Sequence, residues 1–196
     1  NTTQKDAKYP DVGYMHFCQQ KQTIGFRQLI EKFGYKDEFA AQHIKANDEQ
    51  STLQFGIVAL KPKSRGNVKL RSNDPHDLPV INAGYLEDEE DVETLLRGLK
   101  FYRSLLDTES FKLHDVEENR FVIPECDVFE YASDEYWKCY ISYFSTTLYH
   151  PIGTVKFGSI DDETAVVTPD LKVKGIKGLR VIDASVMPTI ISAPIK

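Results

Sequence analysis

The stretch 87–106 restricts this chain more than any other. Val92, Leu95, Leu96, Leu99, Tyr102, Leu105 and Leu106 recur at three- and four-residue spacing, which sets them on one face of an α-helix. Glu87, Asp88, Glu89, Glu90 and Asp91 fill its first turns, where the positive end of the helix dipole stabilises carboxylates. Arg97, Lys100 and Arg103 come later. The acidic run lacks the alternating ligands and glycine of a calcium loop, so it is the solvated start of the helix. Upstream, 52–60 alternates as a strand, with Leu53, Phe55, Ile57 and Ala59 on one face. After the turn Pro62-Lys63-Ser64-Arg65-Gly66, residues 67–71 return as a strand with Val68 and Leu70 on one face. A second turn, Asn73-Asp74-Pro75, leads to the apolar pair Val80-Ile81. Connections this short predict two or three antiparallel strands. Strands and helices in this mixture give the class α+β.

The remaining elements are shorter. Residues 1–22 are polar and aromatic without a period and are expected to be loop or linker. The spacing of Phe26, Leu29, Ile30 and Phe33 predicts a helix over 25–33, stopped by Gly34. A second short helix is expected over 37–45. Both are expected to be surface or linker helices. Residues 108–130 read as irregular. Ser133-Asp134-Glu135 has the form of an amino-terminal cap, and Trp137, Tyr140, Ile141 and Phe144 follow at helical spacing. That aromatic stripe is either core or the lining of a substrate cavity.

A net charge of −6 argues against a sequence-independent phosphate binder, so no nucleic-acid partner is expected. No run of about 18 apolar residues occurs, so no membrane span is expected. The amino end lacks the apolar stretch of a signal peptide and does not start with Met; it is expected to have been cut or processed. Asn1-Thr2-Thr3 fits a glycosylation sequon and points weakly to secretion. Three cysteines, Cys18, Cys126 and Cys139, permit one disulfide whose pairing stays open. With no Cys-x-x-Cys and no His pair at ligand spacing, no metal site is expected.

Three residues bear on chemistry. Pro151 pushes His150 out of the α region, and Gly153 allows close backbone approach just beyond, so the imidazole is held at an element's end. A lone histidine of this kind is either structural or functional. Asp183 closes the apolar strand Leu179-Arg180-Val181-Ile182 and is followed by Ala184-Ser185; it either meets a ligand or caps a turn. Arg65 either binds an anion or is solvated; no Gly-rich cradle surrounds it.

Several segments in order resemble one family. They are Lys61-Pro62-Lys63-Ser64-Arg65-Gly66, Ser72-Asn73-Asp74-Pro75, Trp137-Lys138-Cys139, Tyr149-His150-Pro151-Ile152-Gly153-Thr154, and 178–189, which ends Val181-Ile182-Asp183-Ala184-Ser185-Val186-Met187-Pro188-Thr189. Over about 60–193 the chain resembles the carboxy-terminal region of the glucose–methanol–choline (GMC) oxidoreductases, above all the insect branch with glucose dehydrogenases and ecdysone oxidase. The resemblance implies an antiparallel sheet with flanking helices plus a remnant of the FAD domain. It divides the chain into 1–51, linker and short helices; 52–148, substrate-domain sheet and helices; and 149–196, a segment returning to the FAD domain. It implies FAD as cofactor, a small-molecule alcohol as substrate, and oxidation of CH–OH to carbonyl with hydride passing to flavin N5. His150 would be the base that takes the hydroxyl proton, while Asp183 and Ala184 would contact the ribityl–pyrophosphate region. The imidazole at 150 and the carboxylate at 183 are then expected to face one cavity.

The sequence also departs from the family. It has no Gly-x-Gly-x-x-Gly, the fingerprint that cradles a dinucleotide pyrophosphate. Val155-Lys156-Phe157-Gly158 stands where relatives have Cys-Lys-Met-Gly. Ser192-Ala193-Pro194-Ile195-Lys196 stands where insect relatives read like Ser-Gly-Asn-Thr-Asn-Ala-Pro and carry a second catalytic His or Asn. The expectation is a fragment, truncated or degenerate copy of an FAD-dependent alcohol oxidoreductase, poorly able to hold FAD or turn over alone. The alternative is a non-catalytic binding module that keeps an aromatic-lined cavity.

Overall fold

The computed structural model describes residues 2–3, 8–193 and 195. The sequon asparagine, Asn1, and Pro194 and Lys196 of the final segment lie outside the described residues. Among the described residues, helices and two small antiparallel sheets make up an α+β chain. It divides into two compact units, each assembled from two separated stretches: 1–59 with 89–147, and 60–88 with 148–196.

The first unit opens with β1, Val12–Gln19, which pairs antiparallel with β2, Thr52–Ala59, from Val12↔Ala59 to Gln19↔Thr52. Residues 12–19 were expected as loop or linker, and that expectation is corrected. Val12, Tyr14, His16 and Cys18 share one face, of which only Val12 is buried and His16 and Cys18 are exposed, while Met15 and Phe17 occupy the other face, so no alternation shows. The register sets that face beside Leu53, Phe55, Ile57 and Ala59. The long helix packs there, and two other helices precede it in the chain.

These are α1, Ile24–Lys32, and α2, Asp37–Glu49. Phe26, Ile30 and Phe39 are buried, so each helix, expected as a surface or linker helix, sets one face into the core of this unit. Gly34 has φ +67° and ends the first of them in the left-handed region. The buried Asn47 of α2 joins the surrounding chain. Its side-chain oxygen accepts from the Thr23 N–H at 3.1 Å, and its amide nitrogen donates to the Gln20 carbonyl at 2.9 Å and to Thr52 Oγ1 at 3.2 Å. One satisfied buried amide therefore fixes the exit from β1, the start of α1 and the entry to β2.

The helix α3 runs Glu89–Arg103 and continues as a 3-10 turn, Ser104–Asp107. Gly98 lets it approach the sheet. A Cβ at that position would lie 2.8 Å from Ile57 Cγ2 and 3.1 Å from Val12 Cγ1, while the Tyr14 hydroxyl donates to the Gly98 carbonyl at 3.0 Å. A short helix, α4 (Glu109–Leu113), interrupts the stretch expected to be irregular. α5, Asp134–Phe144, is capped as its sequence predicts: Ser133 Oγ accepts from the Tyr136 N–H at 3.1 Å. Tyr136, Trp137 and Ile141 are buried, which makes the aromatic stripe core. Cys139 of α5 forms a disulfide with the buried Cys126, and Cys18 is free and exposed. His43 of α2 sits among Tyr35, Phe121 and Phe144, with ring centroids 5.3, 4.2 and 5.4 Å away.

In the second unit β3, Asn67–Lys69, pairs antiparallel with β4, Val80–Asn82, through Val68↔Ile81. β2 is not their neighbour; the residues between β2 and β3 curl into a turn instead. Arg65 Nη1 donates to the carbonyls of Pro62, Lys63 and Ser64 at 2.8, 3.0 and 2.9 Å. The rest of the unit, 148–196, has no long strands among the described residues. Isolated bridges join Phe157 to Val167, Val167 to Val173 and Lys172 to Arg180, over the buried Ala165 and Val167.

Two outcomes follow from the first unit. The disulfide closes a loop of sequence separation 13, which in the chain-entropy account contributes about 3 kcal/mol; the double substitution Cys126→Ala with Cys139→Ala should lower urea stability by roughly that amount. Burial pulls the His43 imidazole down from 6.5 to about 4, because the aromatic cage disfavours its charged form. A depressed histidine contributes stability that is fully present above the unfolded value and is lost as pH falls from 6.5 towards about 4. The loss is of order 3 kcal/mol, and His43→Phe should flatten that part of the pH–stability curve.

Candidate functional site

The site candidates lie in a stretch held by backbone bonds rather than by regular elements. Tyr149, with φ +62°, and Gly153, with φ +86°, place two sharp turns on either side of His150 and Pro151. His150 itself is half-buried and belongs to no helix or strand. Beyond Gly153 the chain runs beside a single 3-10 turn, Ala184–Val186. The Val155 N–H donates to the Ser185 carbonyl at 3.0 Å, and the Phe157 N–H to the Val186 carbonyl at 2.9 Å. The fit is close: a Cβ on Gly153 would lie 3.3 Å from the Met187 carbonyl.

Asp183 caps that turn. Its Oδ1 accepts from the Ser185 N–H at 2.8 Å and from the Ser185 hydroxyl. These two donors hold its carboxyl below the usual carboxylate range. Asp183 and Ile182 are exposed, and Ala184 is half-buried. On its far side the His150 segment is braced again. Val166 donates to the Lys156 carbonyl at 3.0 Å and Gly158 to the Val167 carbonyl at 3.1 Å. Lys174 Nζ donates to the carbonyls of Ser159 and Asp162 at 2.8 and 2.7 Å, closing the intervening loop.

His150, Asp183 and Ala184 therefore fall in one unit, on two segments joined by hydrogen bonds. Asp183 does cap a turn, and its exposure leaves it able to meet a ligand as well. Ser185 was not singled out from the sequence, although Asp-x-Ser is a known pattern for a side chain bonding two residues on. Arg65 Nη1 is engaged by the carbonyls of its own turn. Among the described residues no cluster of three or more His, Cys, Asp or Glu is placed to hold a metal, and no helix is long and apolar enough to cross a membrane.

The family model described as GMC oxidoreductase, carboxy-terminal part, matches residues 62–196, which is most of the chain. This chain belongs to the GMC oxidoreductases. Among the GMC proteins it is similar to a glucose dehydrogenase (FAD, quinone) of Drosophila pseudoobscura pseudoobscura, 40% identical over 144 residues, or 74% of this chain and 23% of that protein. An ecdysone oxidase of Bombyx mori is 36% identical over 167 residues, or 85% of this chain and 24% of that protein. Of solved structures, a formate oxidase from Aspergillus oryzae RIB40 superposes with a TM-score of 0.61 at 32% identity, covering 74% of this chain and 24% of that one. A pyridoxine 4-oxidase from Mesorbium loti gives 0.58 at 30% identity, with 74% and 26% covered. The chain thus spans about a quarter of the length of the curated relatives it matches.

In this GMC chain Gly153 is the residue whose replacement tests the join between the two segments. Gly153→Ala forces a side chain into φ +86° beside the Met187 carbonyl, a strain of about 1–2 kcal/mol. The amides of Val155 and Phe157 should then exchange roughly tenfold faster in hydrogen-exchange measurements, with those of β1 unchanged.

Proposed function

We propose that this chain supplies the base and one cofactor-contacting edge of an FAD-dependent oxidoreductase acting on CH–OH groups of small alcohols. The observation that carries the proposal is the join between two segments: the one led by His150 is hydrogen-bonded to the turn that Asp183 and Ala184 begin. Membership of the GMC family and the FAD named in the Drosophila relative support the cofactor.

The residues present fit one part of an FAD. At the exposed edge 182–184 a carboxylate can accept hydrogen bonds from the hydroxyls of a ribityl chain, and backbone groups lie beside it. They do not fit its pyrophosphate, because the sequence holds no Gly-x-Gly-x-x-Gly cradle. Asp183 and Ala184 would hold the ribityl side, and 149–196 would serve as the segment that returns to the FAD domain. FAD, when bound, supplies the hydride acceptor. His150 takes the hydroxyl proton of the alcohol on an imidazole nitrogen, which leaves electron density on the oxygen and weakens the adjacent C–H bond. Pro151 and the turns at Tyr149 and Gly153 limit where that imidazole can go, and a confined base loses little entropy on reaching its reacting geometry. The binding-module alternative needs the aromatic stripe as a cavity wall. Trp137 and Ile141 are buried in the core, which leaves them unavailable as such a wall.

The chain joined behind the amino-terminal part of the Drosophila glucose dehydrogenase should retain yellow flavin and reduce a quinone dye in the presence of an alcohol. In that protein His150→Ala should lower kcat by about 10²–10⁴-fold, the usual contribution of a general base, with the flavin absorbance retained. Undiminished turnover in His150→Ala, or a joined protein that takes up flavin and oxidises no alcohol, would overturn the assignment.

A further inference from the structure

We propose that Ser185 is a positioning residue that holds the Asp183 carboxylate and the His150 segment in one fixed arrangement. This rests on the roles given to His150 and Asp183 above. Ser185 bonds in both directions. Its hydroxyl and its N–H both donate to Asp183 Oδ1, and its carbonyl accepts from the Val155 N–H at 3.0 Å. One residue therefore links the cap of the 3-10 turn to the segment that follows Gly153.

Both donors converge on a single carboxylate oxygen. Asp183 Oδ2 takes no donor from the protein among the described residues, and the side chain is exposed, so that oxygen is available to a hydroxyl of a polyol ligand. Bonds to an ionised acceptor are about twice as strong as neutral ones. Two of them on Oδ1 stop rotation of the carboxylate and thereby aim Oδ2. Alanine at 185 would keep the backbone donor and lose the hydroxyl, leaving the carboxylate free to turn. Threonine would keep a hydroxyl on the same carbon. The coupling to His150 runs through the main chain: Val155 is fixed on the Ser185 carbonyl, Gly153 turns against the Met187 carbonyl, and Pro151 fixes the backbone next to the imidazole. A group that only orients reacting groups shows itself in rate more than in affinity for substrate.

The test has two arms. In the 196-residue chain, the Asp183 carboxyl is titrated by carbon NMR and the Val155 amide is followed by hydrogen exchange. Ser185→Ala should raise the Asp183 midpoint towards the ordinary value and speed Val155 exchange several-fold, while Ser185→Thr keeps both near wild type. Asp183→Asn retains an oxygen for the Ser185 donors and Asp183→Ala does not; the first should preserve Val155 protection and the second lose it, which decides the point if Ser185→Ala does not fold. In the protein joined to the glucose dehydrogenase part, Ser185→Ala should lower kcat by about 10- to 100-fold, the range for groups that orient a reacting one. KM should stay within about threefold, flavin retention should fall, and threonine should restore both rate and flavin. An Asp183 titration and Val155 exchange unchanged by Ser185→Ala, or a joined enzyme indifferent to it in kcat and flavin content, overturns the proposal. A joined protein that never takes up flavin counts against the proposed function instead, and the first arm then decides Ser185 by itself.

Discussion

Two main-chain hydrogen bonds, from Val155 to the Ser185 carbonyl and from Phe157 to the Val186 carbonyl, join the segment that follows His150 to the turn that Asp183 caps. Each contributes only about 1 kcal/mol net. Their weight comes from their surroundings. The region 148–196 has isolated bridges instead of a continuous ladder, so its order depends on a few contacts made at fixed points. Ala165 and Val167 are buried beneath it, and Lys174 closes its loop onto the carbonyls of Ser159 and Asp162. Backbone bonds of this kind constrain side-chain identity little. At Val155 and Phe157 it is the N–H groups, more than the side chains, that make the join.

The first unit is held differently, by burial around aromatic rings and one polar hub. α3 reaches the β1–β2 sheet because Gly98 removes a Cβ that would press on Ile57 and Val12. A helical glycine costs about 1 kcal/mol relative to alanine, and the close approach it permits offsets that cost. Asn47 gathers three chain segments through hydrogen bonds that water would otherwise have to satisfy. The family match starts at residue 62, after β2. The packing does not respect that boundary, since β1 and β2 from outside it carry α3 from inside it.

How much was legible in the sequence depended on whether one period dominated a segment. α3 and α5 were plain because their apolar residues keep to one face, and Ser133 announced its cap. β1 was hidden because Met15 and Phe17 put bulk on the face opposite Tyr14 and His16, which erases the alternation that marks a strand. β2 was found but its partner was not, because strand pairing over a gap of more than thirty residues leaves no local trace. The disulfide partners could not be chosen from three cysteines by counting alone. His150, Asp183 and Ala184 stood out through resemblance to a family, whereas Ser185 stood unnoticed within the same motif. Its part depends on where its carbonyl points, and only the fold supplies that.

Each unit is made of two stretches separated by a stretch of the other, so the polypeptide passes between them three times, near residues 59, 88 and 147. During synthesis this ordering delays completion. β1 and β2 leave the ribosome with one face uncovered until α3 follows, and the 60–88 hairpin must wait for 148–196 before its unit can close. Such interleaving raises the sequence distance between contacting residues and slows folding. It also means that no single cut yields either unit intact. Separating the unit that carries His150 and Asp183 from the one that carries the β1–β2 sheet would require two excisions and a new joint.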